Sequence, residues 1–360
     1  MSDPLYRLIQ PWLFRLEAEQ AHELVTGLLA AAPRIPPLRG AMRALYAYEH
    51  PALRTTCAGL AFANPVGLAA GFDKRGTLIT PLALLGFGFL EVGTVTPRPQ
   101  PGNARPRLFR LPADRALINR LGFNSPGIPP VARRLRTTPR RVPLGINIGK
   151  NRDTPLERAT EDYLATFQAL APLADYVAIN ISSPNTPGLR LLHERAALAA
   201  LLGALAAANR QLARPRPLFL KVSPDETPAQ LDAVVAAAQE AGIAGYIAGN
   251  TTLAREGVGS PRRHETGGLS GRPLRERARR TIGHLYRATG GRTPIIGVGG
   301  VASAGDAYGH LRAGATLVQL YTGLIYEGPG VARQIKRGLV ALLARDGLPS
   351  VAHAVGVDQL

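Results

Sequence analysis

The feature that most constrains the fold is a pattern that repeats eight times from residue 65 onward. A short apolar run ends in a polar or glycine-rich loop, and a helical stretch follows most of the runs. The runs span residues 66–70, 89–92, 144–148, 176–179, 218–222, 246–248, 295–298 and 316–320. Eight strand–helix units in series predict an α/β protein whose parallel sheet closes into a (β/α)8 TIM barrel. A doubly wound open sheet is the alternative, but no dinucleotide-binding fingerprint follows the first run.

The segments between these runs complete the prediction. Helical patterns span residues 156–170, 195–212, 227–241, 273–289 and 303–313, and a last one follows residue 330. The long connection 97–142 interrupts the rhythm and is expected to hold an inserted hairpin with strands at 108–111 and 116–119. A second long loop covers 256–271, and long loops on a barrel are candidate lids.

The residues before the barrel predict two short amphipathic helices within 3–32. In the first helix, Pro11 should kink or split an apolar face. That face consists of Leu5, Leu8, Ile9, Trp12, Leu13 and Leu16. The second helix is expected to place Ala21, Leu24, Val25, Leu28 and Leu29 on one side and Glu17, Glu19, Gln20 and Glu23 on the other. A hairpin at 53–62 should turn at Ala58-Gly59. We therefore divide the chain into a helical extension, 1–48, and a barrel, 49–360.

Composition narrows the possible functions. The chain has 360 residues, and its single cysteine, Cys57, excludes an internal disulfide and a cysteine-based metal site. No histidine cluster indicates zinc, so no metal is expected. The net charge of +18 favours an acidic partner, but the arginines are dispersed without aromatic residues among them, so nucleic-acid binding is not expected. No apolar run is long enough to span a membrane and no secretory signal is evident, which predicts an intracellular protein.

Polar residues follow the strands, and the carboxyl ends of barrel strands meet at one mouth. The cavity there should contain Lys74, Thr94, Asn147, Asn180, Ser183, Asn185, Lys221, Asn250 and Thr251. Neutral amides and two lysines suit a planar anionic ligand, because asparagine can match imide and ureide edges. Gly299-Gly300 before a helix, beside Tyr321-Thr322, predicts a phosphate site.

Five motifs carry a resemblance to a known family. They lie at 93–103, 147–151, 180–189, 266–271 and 294–300, in the same order over nearly the whole chain. Together they resemble dihydroorotate dehydrogenase. The N-terminal helices and Ser183 resemble the membrane-associated, quinone-reducing class, whereas the soluble class uses a cysteine at the base position and lacks such an extension.

The resemblance implies one FMN per chain across the barrel mouth. Its contacts would be Ala70, Gly71, Phe72, Asp73, Lys74, Thr94, Asn147, Asn180, Lys221, Gly249, Gly271, Gly300, Tyr321 and Thr322. Gly249 stands where the family usually has threonine, which removes a side-chain contact. The substrate would be held by Lys74, Asn119, Arg120, Leu121, Gly122, Phe123, Asn180, Asn185, Asn250 and Thr251.

The implied reaction is the oxidation of dihydroorotate to orotate in pyrimidine biosynthesis. Ser183 would remove the C5 proton while hydride passes from C6 to the flavin, and the proton would leave through water near Thr186 and Phe123. Ser182 is the alternative base, and only the family pattern selects Ser183. His22 and Arg110 match polar positions of the quinone tunnel, with Tyr321 nearby.

The resemblance also implies the setting. The protein is expected to be a monomer bound peripherally to anionic lipid at the cytoplasmic face of the cell (inner) membrane. Residues 1–48 should serve the membrane and the quinone, not the oxidation of dihydroorotate. The alternatives are the soluble class, which uses fumarate or a nicotinamide partner, and a nucleic-acid-binding barrel.

Overall fold

The computed structural model describes residues 3–185, 189, 192 and 194–359. Thr186, which the resemblance places near the proton exit, and the Pro187-Gly188 part of its loop lie outside the described residues. The α-helices are α1 (Pro4–Arg15), α2 (Ala18–Ala31), α3 (Pro36–Tyr46), α4 (Ile79–Leu84), α5 (Ile128–Thr137), α6 (Ala159–Leu170), α7 (Arg195–Arg210), α8 (Pro228–Glu240), α9 (Arg275–Ala288), α10 (Ala304–Arg312), α11 (Thr322–Glu327) and α12 (Val331–Arg345). The strands are β1 (Thr55–Cys57), β2 (Leu60–Phe62), β3 (Val66–Leu68), β4 (Phe89–Val95), β5 (Leu108–Leu111), β6 (Ala116–Asn119), β7 (Leu144–Ile148), β8 (Tyr176–Asn180), β9 (Leu218–Val222), β10 (Gly245–Ala248), β11 (Gly268–Gly271), β12 (Ile295–Val298) and β13 (Leu317–Leu320).

Eight of these strands form a closed parallel barrel. Its order in space is β3, β4, β7, β8, β9, β10, β12 and β13, and β13 pairs back onto β3 through Val318 and Val66. The closed ring confirms the TIM-barrel prediction and excludes the open sheet. Each predicted strand is present, with three matching to the residue and the others differing at their ends.

Aromatic rings fill the amino end of the barrel, and glycines on neighbouring strands leave room for them. A Cβ built on Gly145 would lie 2.1 Å from the ring of Tyr176, and one on Gly67 would lie 2.4 Å from that of Phe89. The hairpin β1–β2 covers this end, where Phe62 meets Phe89 edge to face at 5.4 Å. This packing leaves the opposite, carboxyl end of the barrel available for a ligand.

The two long connections join into one small sheet beside the barrel mouth. Strands β5 and β6 form the predicted hairpin, and β11, from the end of the second long loop, pairs antiparallel with β6. Gly268 pairs with Asn119 in that ladder. The insertion and the second loop therefore fold as a single unit.

In the N-terminal extension, Pro11 leaves α1 unsplit, and Glu19 departs from its predicted position. Pro11 lies inside α1, which continues from Pro4 to Arg15 without being split. No residue of α1 is buried, so water can solvate the turn that a proline loosens. In α2, Glu19 was expected on the polar side, yet it is 5% exposed and pairs with Arg107. Helix α2 packs against the rest of the protein along the side that carries Glu19. Leu24 and Leu28, which were expected to form its apolar side, are 49% and 65% exposed.

The outer side of the extension is apolar. In α1, Leu5, Leu8, Ile9 and Trp12 are between 53% and 71% exposed, and we call these four residues together with Leu24 and Leu28 the apolar surface. Among the described residues, no helix has both the length and the apolar character needed to span a membrane.

Candidate active site

A cavity of about 500 Å³ opens at the carboxyl end of the barrel, within the size range typical of small-molecule sites. Most of the predicted site residues line it: Ala70, Gly71, Lys74, Thr94, Asn119, Leu121, Gly122, Phe123, Asn180, Ser183, Asn185, Lys221, Asn250, Thr251, Gly271, Gly300, Tyr321 and Thr322. Outside the lining are Phe72, Asp73, Asn147, Gly249, Arg120, His22 and Arg110. The barrel thus brings together residues that are far apart in sequence, as the strand-end argument predicts.

A chain of buried polar side chains crosses the cavity floor. The hydroxyl of Thr94 donates to Asn147 Oδ1 at 2.6 Å, and Asn180 Nδ2 donates to both Thr94 Oγ1 and Asn147 Oδ1 at 3.1 Å. These bonds fix which edge of the Asn180 amide faces the cavity, with Asn147 just behind the lining. A ligand therefore meets an oriented set of donors and acceptors.

Glu91 anchors this chain from behind and is the main residue that the sequence analysis missed. It is 2% exposed, and its carboxylate accepts hydrogen bonds from Asn147 Nδ2 at 2.8 Å, Gln319 Nε2 at 2.9 Å and the Tyr176 hydroxyl at 3.2 Å. Lys221 Nζ lies 3.7 Å from it. The sequence does contain a sign of this role, because Glu91 lies inside the otherwise apolar run 89–92. A carboxylate that is buried in such a strand needs buried hydrogen-bond partners.

The two adjacent serines lie in different surroundings. Ser183 lines the cavity, and its Oγ accepts a hydrogen bond from the backbone N–H of Asn185 at 3.3 Å. Ser182 is fully buried; its Oγ accepts from Asn250 Nδ2 at 2.9 Å and donates to Asn180 Oδ1 at 3.4 Å. The hydroxyl of Ser182 is therefore engaged in holding the amides, whereas that of Ser183 faces the ligand space.

The rim opposite the floor is polar as well. Asn185 Nδ2 donates to Asn119 Oδ1 at 3.2 Å, which ties the loop after β8 to the inserted hairpin. Thr251 lines the cavity, and its buried hydroxyl has no hydrogen-bond partner within the described part of the chain. An unpartnered buried hydroxyl facing a cavity is a group that a ligand can satisfy.

The loop after β3 carries Lys74 into the cavity. The buried carboxylate of Asp73 accepts backbone hydrogen bonds from Arg75, Thr77 and Leu78, the shortest at 2.7 Å. Asp73 therefore shapes the loop instead of lining the cavity. Burial lowers the pKa of Lys74 to about 8, and the nearby charge of Arg107 acts in the same direction.

Glycines form the far end of the cavity. Gly300 has φ +73°, and a Cβ there would lie 2.5 Å from the Cα of Arg275, so only glycine fits. Beside it, α10 begins with a reciprocal cap between Ser303 and Asp306. His310 Nε2 bonds Gly299 O at 2.9 Å from behind. Backbone this close to a cavity and a helix N-terminus suit a phosphate group, so the residues present fit FMN.

Two residues predicted as contacts, Gly249 and Arg120, lie outside the cavity lining. Gly249 has φ +120°, and a Cβ there would lie 2.1 Å from Val298 O, so this backbone excludes the threonine that is usual in the family. The guanidinium of Arg120 bonds Glu265 at 2.8 Å and stacks over Phe109 at 4.5 Å. Its side chain thus holds the second long loop instead of facing the cavity.

An aromatic row connects α2 to the cavity. His22 meets Phe72 edge to face at 5.0 Å, and Phe72 meets Tyr321 at 5.6 Å. Burial lowers the pKa of His22 to about 4, and the charge of Lys74 adds to this effect. Arg110 instead donates to Leu13 O at 3.0 Å and stacks over Phe14 at 4.8 Å. His22 and Tyr321 thus share one row, while Arg110 ties the end of α1 to β5.

The single cysteine, Cys57, is not among the residues that line the cavity. Cys57 is buried under the barrel, and burial raises the pKa of its thiol to about 12. Across the described residues, no group of three or more His, Cys, Asp or Glu side chains could hold a metal ion.

Comparison with known proteins yields one family. The model of the family "Dihydroorotate dehydrogenase" matches residues 52–343. A dihydroorotate dehydrogenase (quinone) of Roseiflexus sp. (strain RS-1) is 66% identical, covering 98% of each chain, and that of Roseiflexus castenholzii is 65% identical, covering 98% of this chain and 97% of that one. Among solved structures, a ligand-free DHODH from Eimeria tenella superposes with a TM-score of 0.88 at 40% identity, covering 95% of this chain and 99% of that one.

Proposed function

Because the chain belongs to the dihydroorotate dehydrogenase family, and to its quinone class, we propose that it oxidises (S)-dihydroorotate to orotate in pyrimidine biosynthesis, with one FMN per chain as hydride acceptor and a membrane quinone as final electron acceptor. The observation that carries the proposal is the cavity itself. It combines oriented amides, two lysines, the hydroxyl of Ser183 and a glycine-lined end in one space of about 500 Å³.

The cofactor proposal rests on the two ends of this cavity. Gly271, Gly300 and Thr322 would hold the phosphate of FMN, while Thr94, Asn180 and Lys221 would contact its ring system. Lys221 would place a positive charge near the pyrimidine edge of that ring. FMN, when bound, supplies an acceptor for the hydride from C6 of dihydroorotate.

The substrate would lie between the ring and the polar rim. Asn119, Asn185 and Asn250 can bond the imide and ureide edges of dihydroorotate, because each amide offers both a donor and an acceptor. The unpartnered hydroxyl of Thr251 would gain a bond in the same complex. Lys74, when protonated, would bind the carboxylate of the substrate.

Ser183 would act as the base that removes the C5 proton. Its Oγ already accepts one backbone N–H, from Asn185, and a second lone pair would take the proton from the substrate while the hydroxyl passes its own proton to water. A serine needs a desolvated, well-positioned site for this role, and Ser183 is only 6% exposed. The proton then has to leave through water in the cavity near Phe123.

We assign two roles to residues 1–48: the second half-reaction, in which the quinone reoxidises the reduced flavin, and contact with the membrane. The aromatic row from His22 to Tyr321 supports approach of the quinone from the side of α2. The apolar surface would enter the lipid interface, while Arg7 and Arg15 meet anionic headgroups, at roughly 1 kcal/mol for each cation. The protein would lie peripherally on the cytoplasmic face of the cell membrane, as a monomer.

The acceptor can be tested by steady-state formation of orotate. The full-length holoenzyme receives dihydroorotate with a short-chain ubiquinone analogue, with fumarate, or with NAD⁺. We expect rapid orotate formation with the quinone and at most slow formation with the other two. Turnover that requires fumarate or NAD⁺ would instead assign the protein to the soluble mode of reaction.

A further inference from the structure

Helix α2 is joined to the cavity by a buried ion pair. Glu19 of α2 accepts from Arg107 Nε at 3.1 and 3.2 Å and from Arg107 Nη2 at 2.7 Å. The side chains of both residues are 7% exposed. A charge pair that is this deeply buried and bonded through two nitrogens costs much to break from one side, because the other charge is left buried.

Arg107 also connects Glu19 to the loop that forms the polar rim of the cavity. Its Nη1 donates to Pro101 O at 2.6 Å and to Asn103 O at 2.8 Å. Asn103 in turn donates from its backbone N–H to Leu121 O at 3.1 Å and from Nδ2 to Arg120 O at 2.8 Å. Leu121 is a cavity-lining residue. An unbroken series of hydrogen bonds therefore runs from α2 to the cavity wall.

The same helix face also approaches Lys74. His22, one turn after Glu19, packs on Phe72, two residues before Lys74. The charge of Arg107 lowers the pKa of Lys74 and that of Glu19 raises it, while burial is the largest influence. Although burial alone would raise the pKa of Glu19, its bond to Arg107 and that charge hold it below the usual value. Glu19 is thus a carboxylate when Lys74 titrates.

We propose that Glu19 is a positioning residue for dihydroorotate: through Arg107 it braces the rim loop at 120–122, and its carboxylate offsets the positive charge of Arg107 beside Lys74. This inference rests on the proposed function. It extends that function, because it gives the N-terminal extension a part in the first half-reaction, the reduction of the flavin by dihydroorotate. The sequence alone predicts that residues 1–48 serve only the quinone and the membrane.

The neighbouring exposed acid supplies a matched control. Glu23, one turn further along α2, pairs with Arg105 at 2.6 Å, and both side chains are more than half exposed. Exposed pairs of this kind contribute little to stability. Arg105 also bonds Glu19, at 3.1 Å. Glu19→Gln and Glu23→Gln therefore each remove one carboxylate partner of Arg105 from the same helix, and only the first also removes the partner of Arg107.

The experiment compares the two variants with the unmodified full-length holoenzyme. The first readout is the pH dependence of flavin reduction by dihydroorotate under anaerobic conditions. The charges that act on Lys74 are those of Glu19 on α2, Arg107 just before β5 and Arg75 on its own loop, and Lys74 in turn acts on His22 of α2. Loss of the Glu19 charge lowers the pKa of Lys74, so the high-pH limb of this profile, where reduction slows as Lys74 loses its proton, moves to lower pH. Glu23→Gln leaves the limb in place.

Two further measurements keep the inference separable from the proposed function. Competitive acetylation of the apoprotein across pH, read at Lys74 by mass spectrometry, should show the same downward shift in Glu19→Gln and none in Glu23→Gln. Glu19→Asp, which retains the charge, should keep the wild-type limb even if it unfolds more readily. Identical limbs and identical acetylation curves for the Glu19→Gln and Glu23→Gln variants would overturn the inference. Failure of dihydroorotate to reduce the wild-type flavin would count against the proposed function, and the acetylation series would still decide the role of Glu19.

Discussion

The ammonium of Lys221 lies 3.7 Å from the carboxylate of Glu91 inside the barrel. Lys221 lines the cavity, whereas Glu91 lies behind it and also binds Asn147, Gln319 and Tyr176. The carboxylate therefore balances the charge that the cavity presents and fixes the orientation of the amide chain next to it.

Replacement of Glu91 by glutamine should weaken both effects. We expect the free energy of unfolding to fall by about 1–3 kcal/mol, because buried donors lose a charged acceptor. The reduction potential of the bound flavin should rise, because the charge of Lys221 is no longer balanced. Urea unfolding and a redox titration measure the two quantities. Glu161→Gln, which breaks an exposed pair with Arg158, should change neither, and an unaltered potential in Glu91→Gln would contradict this account.

The two serines should behave differently. Ser183→Ala should slow flavin reduction by about two to four orders of magnitude, a typical loss for a general base, with orotate binding largely retained. Ser182→Ala should cost much less in the chemical step, because its hydroxyl holds Asn250 and Asn180. Stopped-flow reduction separates these effects from binding. Equal losses in the two variants would mean that Ser183 is not the base.

The prediction that the polar residues after the barrel strands meet in one cavity depends only on a repeating pattern of apolar runs followed by polar loops. Runs such as 295–298 must be buried on both faces, so their apolar composition marks them, and barrel closure then brings their polar ends together. Neither step requires knowledge of individual side-chain contacts. The sequence therefore sufficed for the barrel and for most of the cavity lining.

The features that the sequence did not reveal depend on partners distant along the chain. Glu19 follows the helical pattern of a solvated acid, and its burial becomes favourable only when Arg105 and Arg107, 86 and 88 residues further along the chain, bond its carboxylate. The role of Glu91 is equally hard to predict, because its partners Gln319 and Tyr176 lie on other strands, far away in the sequence. Pro11 does not split α1, because no residue of that helix is buried and water can solvate the turn that the proline loosens.

His310 predicts a specific dependence of stability on pH. Burial lowers its pKa to about 4, against an ordinary value near 6.5. Between these values the unfolded chain binds more protons than the folded one, so the free energy of unfolding falls as pH is lowered from about 6.5 to about 4, by up to about 3 kcal/mol for this residue. Urea unfolding at several pH values measures the slope.

The variant His310→Gln should flatten that slope relative to the wild type. His353 lies exposed near the carboxyl end of the described chain, and His353→Gln should leave the slope as it is. If all three proteins lose stability equally between pH 6.5 and 5, the buried neutral state of His310 is not the cause.

Membrane attachment should depend on the apolar surface. Leu8 is 71% and Trp12 66% exposed, so replacing both by serine should leave the fold intact. The change should weaken flotation with anionic liposomes at least tenfold, because each side chain contributes on the order of 2 kcal/mol when it is buried. Leu253→Ser, at an exposed apolar residue of the loop after β10, is the control. Flotation of the double variant at the wild-type level would refute the assignment.

The measurement that tests the central claim most directly is the absorbance spectrum of the purified full-length protein under anaerobic conditions, before and after addition of dihydroorotate. We predict a yellow protein with about one FMN per chain, whose flavin absorbance bleaches on addition of the substrate and returns when a quinone is added. A colourless protein that cannot be reconstituted with FMN, or a bound flavin that stays oxidised in excess dihydroorotate, would contradict the account.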